Sequence, residues 1–160
     1  MEKTAADVMA RTVVTVSPTT SVRDVAALLA EKRFGAVPVI DAEGHVLGLV
    51  TEEDMVTRAA RLHLPRHLTF LGGIVYLENP QHFTEEAEKI LAITAEEIMD
   101  TAVPTVRPDM PVTTIATRML DEDLRRLLVL DEQGRLLGVI TRADMVRLVL
   151  SGDQLPDEPA

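Results

Sequence analysis

A stretch of fifty residues occurs twice in this chain, at an offset of ninety and without a gap. Ala6–Met55 lies over Glu96–Met145, and 15 of the 50 positions are identical. Among them are Met9 and Met99, Pro18 and Pro108, Asp41 and Asp131, Gly44 and Gly134, Gly48 and Gly138, Thr51 and Thr141, and Asp54 and Asp144. Seven further positions exchange Val, Leu and Ile. An internal repeat constrains the fold more than any local propensity, because both copies must adopt one shape and bury one kind of face. Two copies are too few for an open solenoid, so the repeat predicts a pseudo-twofold pair closing on each other.

At 160 residues the chain fits one compact domain or two small ones sharing a core. With only three Phe, one Tyr and no Trp, that core must be aliphatic. The absence of cysteine excludes disulfides, thiolate metal sites and a cysteine nucleophile. A net charge of −10 argues against duplex nucleic acid and against an anionic membrane surface, both of which need clustered Lys and Arg. No apolar run is long enough to span a bilayer, and the N-terminal MEKTAADVMA lacks the basic start and apolar stretch of a signal peptide. A soluble cytoplasmic protein is expected.

Each copy reads as the same series of elements. Thr4 to Asp7 and Thr94 to Glu97 are capping boxes, predicting a short helical turn. A brief strand follows at Val13–Val16 or Val103–Val106, ended by Pro18 or Pro108. Val22, Val25, Ala26 and Leu29 recur at helical spacing, as do Val112, Ile115, Ala116 and Met119. Two apolar runs then flank an acidic four-residue link containing Gly44 or Gly134, a hairpin signal. A last helix starts after Thr51 or Thr141. The expected boundaries are residues 1–62 for the first copy, 63–93 for a connecting segment, 94–150 for the second copy and 151–160 for a flexible tail.

The connecting segment holds Phe70, Tyr76 and Phe83, three of the four aromatic residues. Large rings bury area where they can, so the segment is expected to pack on the copies or on a second subunit. Pro65 breaks the first copy's last helix, residues 68–77 are apolar around Gly72 and Gly73, and Thr84–Ala92 reads as a helix with Thr84 as a cap. His63 and His67 stand four apart, but Pro65 lies between them and no further ligand is in view, so no metal site is expected.

The chemistry gathers where the second hairpin strand meets the last helix. Copy one reads Gly48-Leu49-Val50-Thr51-Glu52-Glu53-Asp54, and copy two Gly138-Val139-Ile140-Thr141-Arg142-Ala143-Asp144. A buried strand here delivers a hydroxyl and unpaired backbone N–H groups to a helix N-terminus, which suits phosphate. An Asp one turn in can accept from two ribose hydroxyls. The same Thr-x-x-Asp is also a plain capping box. Its recurrence within a longer pattern, at one offset, favours the ligand reading over capping alone.

That pattern resembles the CBS domain, named for cystathionine beta-synthase, present as a tandem pair. The match is closest from Val37-Pro38-Val39-Ile40-Asp41 through Asp54; copy two has Leu127-Leu128 where the family often has an apolar residue and Pro. The resemblance implies an α/β fold (α+β by some schemes) of two pseudo-twofold-related CBS repeats, each a small mixed sheet with packed helices. It also implies a non-catalytic, energy-sensing regulatory module whose clefts bind AMP, ADP, ATP or S-adenosylmethionine, in a homodimer read by a regulated protein partner. One cleft would join Thr51 and Asp54 to Arg125 and Arg126. The other would join Thr141, Arg142 and Asp144 to Val14, Phe34, Gly35 and Ala36. Asp54 and Asp144 would hold ribose, Thr51 and Thr141 would face phosphate, and Val14, Phe34 and Val139 would wall the adenine.

The two clefts are not equivalent. Arg125 and Arg126 suit phosphate, but Glu52 and Glu53 stand beside Thr51 and could repel it or pair with the arginines. Arg142 stands beside Thr141 with no adjacent acid, which makes the Asp144 cleft the expected ligand site. The alternative reading is an interaction module with vacant clefts. A nucleotide-acting enzyme would need a nucleophile, base or metal cage that the sequence does not supply.

Overall fold

The computed structural model describes residues 2–33, 35–61, 67–70, 73–76 and 80–152. In chain order they form α1 (Ala5–Val8), α2 (Val22–Lys32), β1 (Ala36–Ile40), β2 (Val46–Thr51), α3 (Glu52–Arg61), β3 (His67–Phe70), β4 (Gly73–Tyr76), α4 (Pro80–Ala92), α5 (Ala95–Ile98), β5 (Thr105–Val106), α6 (Val112–Asp121), β6 (Arg126–Leu130), β7 (Leu136–Thr141) and α7 (Arg142–Leu150). Both copies carry the expected order in a mixed α/β fold. The first strand is shorter than its apolar pattern suggests. Copy two keeps Thr105–Val106, paired parallel to β6, and copy one a single parallel bridge from Val16 to Val39. Among the described residues no helix is long and apolar enough to cross a membrane.

Two compact units result, and they cut across the chain order. One comprises Met1–Thr15, Ile40–Gly48 and Thr101–Ala160; the other comprises Val16–Val39 and Leu49–Asp100. The arm at the start of each copy explains the division. Ala5 and Met9, on and just after α1, are buried with Val106, Ile115, Leu127, Val129 and Ile140 of copy two. Ala95 and Ile98 of α5 are buried with Val16, Val25, Leu29, Val37 and Val50 of copy one. A fully buried Leu, Ile, Val or Met contributes about 1.5–3 kcal/mol, so docking each arm on the other copy's core is a substantial part of that core.

Backbone bonds fix the arms. Ala10 and Val139 exchange N–H···O bonds of 2.9 and 3.0 Å, and Leu49 and Asp100 exchange a pair of 2.9 Å each. The arms also complete helix starts, whose first N–H groups have no partner within the helix. The Val112 N–H of α6 donates to Lys3 O at 2.9 Å, and the Val22 N–H of α2 to Ile93 O at 2.8 Å. Gly138 allows the close approach: a Cβ there would sit 2.7 Å from Met9 Sδ and 2.8 Å from the Ala10 carbonyl oxygen.

The Asp-x-x-Gly links fold alike for a local reason. Asp41 Oδ1 accepts from the N–H groups of Glu43 (3.0 Å) and His45 (2.8 Å), and Asp131 Oδ1 from those of Gln133 and Arg135 (both 2.9 Å). Gly44 and Gly134 take φ of 90° and 81°, where a side chain would be strained. Within one unit the two turns pair, with Val46 N donating to Gly134 O (3.2 Å) and Leu136 N to Gly44 O (3.0 Å).

The connecting segment departs from its expected form. It contains an antiparallel hairpin, β3 with β4, in register from His67 opposite Tyr76 to Phe70 opposite Gly73. A short apolar run split by two glycines does not distinguish strand from helix by periodicity. The following helix begins at Pro80 rather than near Thr84, since proline is pre-set for the first helical turn. α4 packs on α2. Phe34, His63, Pro65 and residues 153–160 lie outside the described residues, as do the side chains of His67, Phe70, Tyr76 and Phe83.

Candidate ligand-binding site

The first Thr-x-x-Asp corner lies where β2 enters α3. Asp54 Oδ2 accepts from the Thr51 N–H at 2.7 Å and from its hydroxyl at 2.9 Å, while the Asp54 N–H donates to Thr51 Oγ1 at 3.2 Å. The capping box is therefore formed, and it uses one carboxylate oxygen. Among the described residues Asp54 Oδ1 has no partner. The Glu52 N–H donates to Gly35 O at 3.0 Å, which sets Gly35 and the adjoining Ala36, both half-buried, beside this corner. Glu52 and Glu53 are exposed, and neither makes an ion pair among the described residues.

The second corner, where β7 enters α7, repeats this backbone. The Thr141 N–H and hydroxyl donate to Asp144 Oδ2 at 2.7 and 2.8 Å, and the box is closed. Here the other oxygen is also taken: the Arg147 guanidinium donates to Asp144 Oδ1. Burial raises the Asp144 carboxyl, but the bonds from Arg147 and Thr141 outweigh it and hold the group below its ordinary value of 3.8. Arg142 is turned away from Thr141 onto the α6–β6 loop. Its Nε donates to Leu124 O at 2.7 Å, and its Nη2 to Asp123 Oδ1 at 2.7 Å and to Met119 O at 3.4 Å. The hydrogen bond and the charge of Arg142 hold the Asp123 carboxyl below 3.8 as well.

Arg125 and Arg126 belong to this same end of the sheet. The Arg142 N–H donates to Arg125 O at 3.2 Å, and Arg126 is the register partner of Thr141. The Arg125 side chain is exposed and makes no hydrogen bond among the described residues. Val139 and Val14, expected to wall a base, are both half-buried, and Val139 is held through the Ala10 bridge. The expected groupings of Asp54 with Arg125 and Arg126, and of Asp144 with Gly35 and Ala36, each join residues of both units.

Asp123 and Arg147 had no place among the residues singled out from sequence. A signal for Asp123 was present in the repeat alignment. It lies over Arg33, and Arg142 lies over Glu52, so the charges of the two pairs are reversed. Arg33 and Asp123 share a left-handed backbone, with φ of 53° and 50°. In the first hairpin turn Asp41, Glu43 and His45 bring three ligand-type atoms within 4.8 Å, but both Asp41 oxygens already hold the turn, Oδ2 lying 3.0 Å from His45 Nδ1.

Two small sheets, β1-β2 and β5-β6-β7, each with a capped Thr-x-x-Asp corner and a docked arm, define a tandem-repeat fold. The CBS domain model matches residues 5–61 and 95–151, and the chain belongs to the CBS-domain family. It is 25% identical over 134 residues to the uncharacterized protein MJ1426 of Methanocaldococcus jannaschii, covering 79% of this chain and 80% of that one. It is 30% identical over 139 residues to the chloroplastic CBS domain-containing protein CBSX2 of Arabidopsis thaliana, covering 84% of this chain but only 58% of that protein. The crystal structure of CBSX2 in complex with AMP superposes with a TM-score of 0.72 at 25% identity, over 95% of this chain and 99% of that one.

Proposed function

We propose that this chain is a non-catalytic regulatory module that binds an adenine nucleotide, AMP, ADP or ATP, at its Thr-x-x-Asp corners. The observation that carries the reading is the Asp54 carboxylate: held in place by Thr51 through Oδ2, it keeps Oδ1 without a partner among the described residues. A fixed, charged acceptor beside a helix N-terminus suits vicinal ribose hydroxyls next to a phosphate. The likeness to CBSX2, solved with AMP, supports the adenosine class. In this reading Arg125 and Arg126 supply phosphate contacts to the Asp54 cleft, and Val14, Phe34, Gly35, Ala36 and Val139 line the Asp144 cleft. Bound ligand then shifts a conformational equilibrium by its differential affinity for the two states, and a protein partner reads the shift.

The same proposal includes a homodimer. Val146, Val149 and Leu150 of α7 are 59%, 59% and 80% exposed, an apolar run that self-association would cover. Light scattering that returns a monomer would remove this part.

A rival reading, an interaction module with vacant clefts, is favoured by the second corner, where Arg142 and Asp144 are satisfied internally. Thermal melting with AMP, ADP, ATP, S-adenosylmethionine and GTP in parallel separates the two. Ligand at 100 times its dissociation constant adds about 2.7 kcal/mol, a shift of roughly 5–10 °C for a chain this size. No shift with any adenosine compound would establish the vacant module, and a larger shift with GTP would reject adenine selectivity.

A further inference from the structure

We propose that Asp123 and Arg147 decide which corner takes the nucleotide: as built-in counter-charges they occupy the Thr141–Asp144 corner and leave Thr51–Asp54 to fill first. The inference rests on the functional reading above and names the residues that set its preference.

Arg147 holds the Asp144 oxygen that Thr141 leaves over, so ribose hydroxyls must displace a guanidinium to reach it. Asp123 holds the cation nearest to Thr141 in sequence. Its carboxylate is the one anionic partner of Arg142 among the described residues, the other two acceptors being backbone carbonyls. A phosphate arriving at this helix start meets an arginine already neutralised. At the first corner the arrangement is inverted. Arg33 stands on the loop in the same left-handed conformation as Asp123, and Glu52 stands at the helix start. Among the described residues neither makes an ion pair, and the residue over Arg147 is Thr57, which carries no charge to offer Asp54.

Both counter-charges are removable without touching the core. The Asp123 side chain is 94% exposed and that of Arg147 71% exposed. Exposed pairs of this kind are weak, so each should suppress ligand binding by only about two- to fivefold. The two act on different parts of a nucleotide. Arg147 competes with ribose, and Asp123 competes with phosphate.

The test is a nitrogen-15 NMR titration of the full chain with AMP and, separately, with adenosine, following the Thr51 and Thr141 amides. In the parent protein the Thr51 amide should reach its midpoint at the lower concentration of AMP. Arg147→Met should lower the Thr141 midpoint about two- to fivefold for both ligands, and Asp123→Asn should do so for AMP but not for adenosine. A ligand-free melt of each variant within a degree or two of the parent confirms the fold. Thr141 midpoints unmoved in both variants, or Thr141 filling first in the parent, would overturn this inference and leave the nucleotide reading standing. No ligand-induced shift at either amide in any of the three proteins would overturn both.

Discussion

The corners at Thr51–Asp54 and Thr141–Asp144 share backbone path, capping chemistry and the docking of an arm beside the strand that leads in. They differ in charge. At the first, Asp54 keeps one oxygen without a partner among the described residues, and Glu52 and Arg33 stand exposed. At the second, Asp144 and Arg142 are both engaged, by Arg147 and by Asp123 with two carbonyls. The geometry of a capped strand-to-helix corner needs only Thr and Asp at fixed spacing. In the proposed function, what the corner can still bind is set by neighbours one turn along the helix or on the facing loop. From sequence, Arg142 without an adjacent acid pointed to the second corner as the ligand site; the proposed filling of the first before it rests on the hydrogen bonds of Arg142 and Asp144.

The largest expected effect is on ligand affinity. Asp54→Asn removes a charged acceptor worth about 1.5–3 kcal/mol, so AMP affinity should fall roughly ten- to a hundredfold by calorimetric titration. Asp144→Asn should cost less than about fivefold, because its carboxylate is already neutralised by an exposed pair. Equal losses in the two variants would erase the contrast.

Next in size is a change to the arm beside the second corner. Gly138→Ala drives a Cβ into Met9 Sδ and the Ala10 carbonyl, and the backbone oxygen cannot yield without opening the Ala10–Val139 bridge. Overpacking of this kind costs about 1–3 kcal/mol, measurable as a lower urea midpoint. An unchanged midpoint would mean that the arm is loosely held.

A smaller effect concerns capping. In the absence of ligand, Asp144→Asn should lose about 0.3–1 kcal/mol of stability, the contribution of a charge in the first helical turn, because the amide oxygen can still accept from Thr141. A loss of several kcal/mol in thermal melting would show that the carboxylate anchors more than its helix.

The smallest is a pH effect confined to the second corner. The depressed Asp144 and Asp123 carboxyls contribute stability that is complete above 3.8 and is lost as pH falls below that value through their folded-state pKa values. Arg147→Met should raise the Asp144 titration toward 3.8, followed by carbon-13 NMR of the carboxyl. A titration identical to the parent's would show that the Arg147–Asp144 pair does not form in solution.

The sequence by itself determined the features whose causes lie within four residues along the chain. The capping boxes at Thr4, Thr94, Thr51 and Thr141 and the Asp-x-x-Gly turns are each closed by a side chain bonding a backbone group three or four positions away. The offset of ninety then made the two copies equivalent before any contact was known. The β3–β4 hairpin escaped because a short run around two glycines carries no period. Only the tertiary structure decided the partners that are distant in sequence. α1 completes the core around Ile115 and α5 the core around Val25, since a four-residue helix cannot bury Ala5 or Ala95 alone and must borrow another copy's apolar face. In the same way Arg142 reaches Asp123, nineteen residues back, because a left-handed turn carries that loop beneath the start of α7. Local hydrogen bonds are encoded by spacing, whereas the pairing of charges across a fold depends on which backbones burial has already brought together.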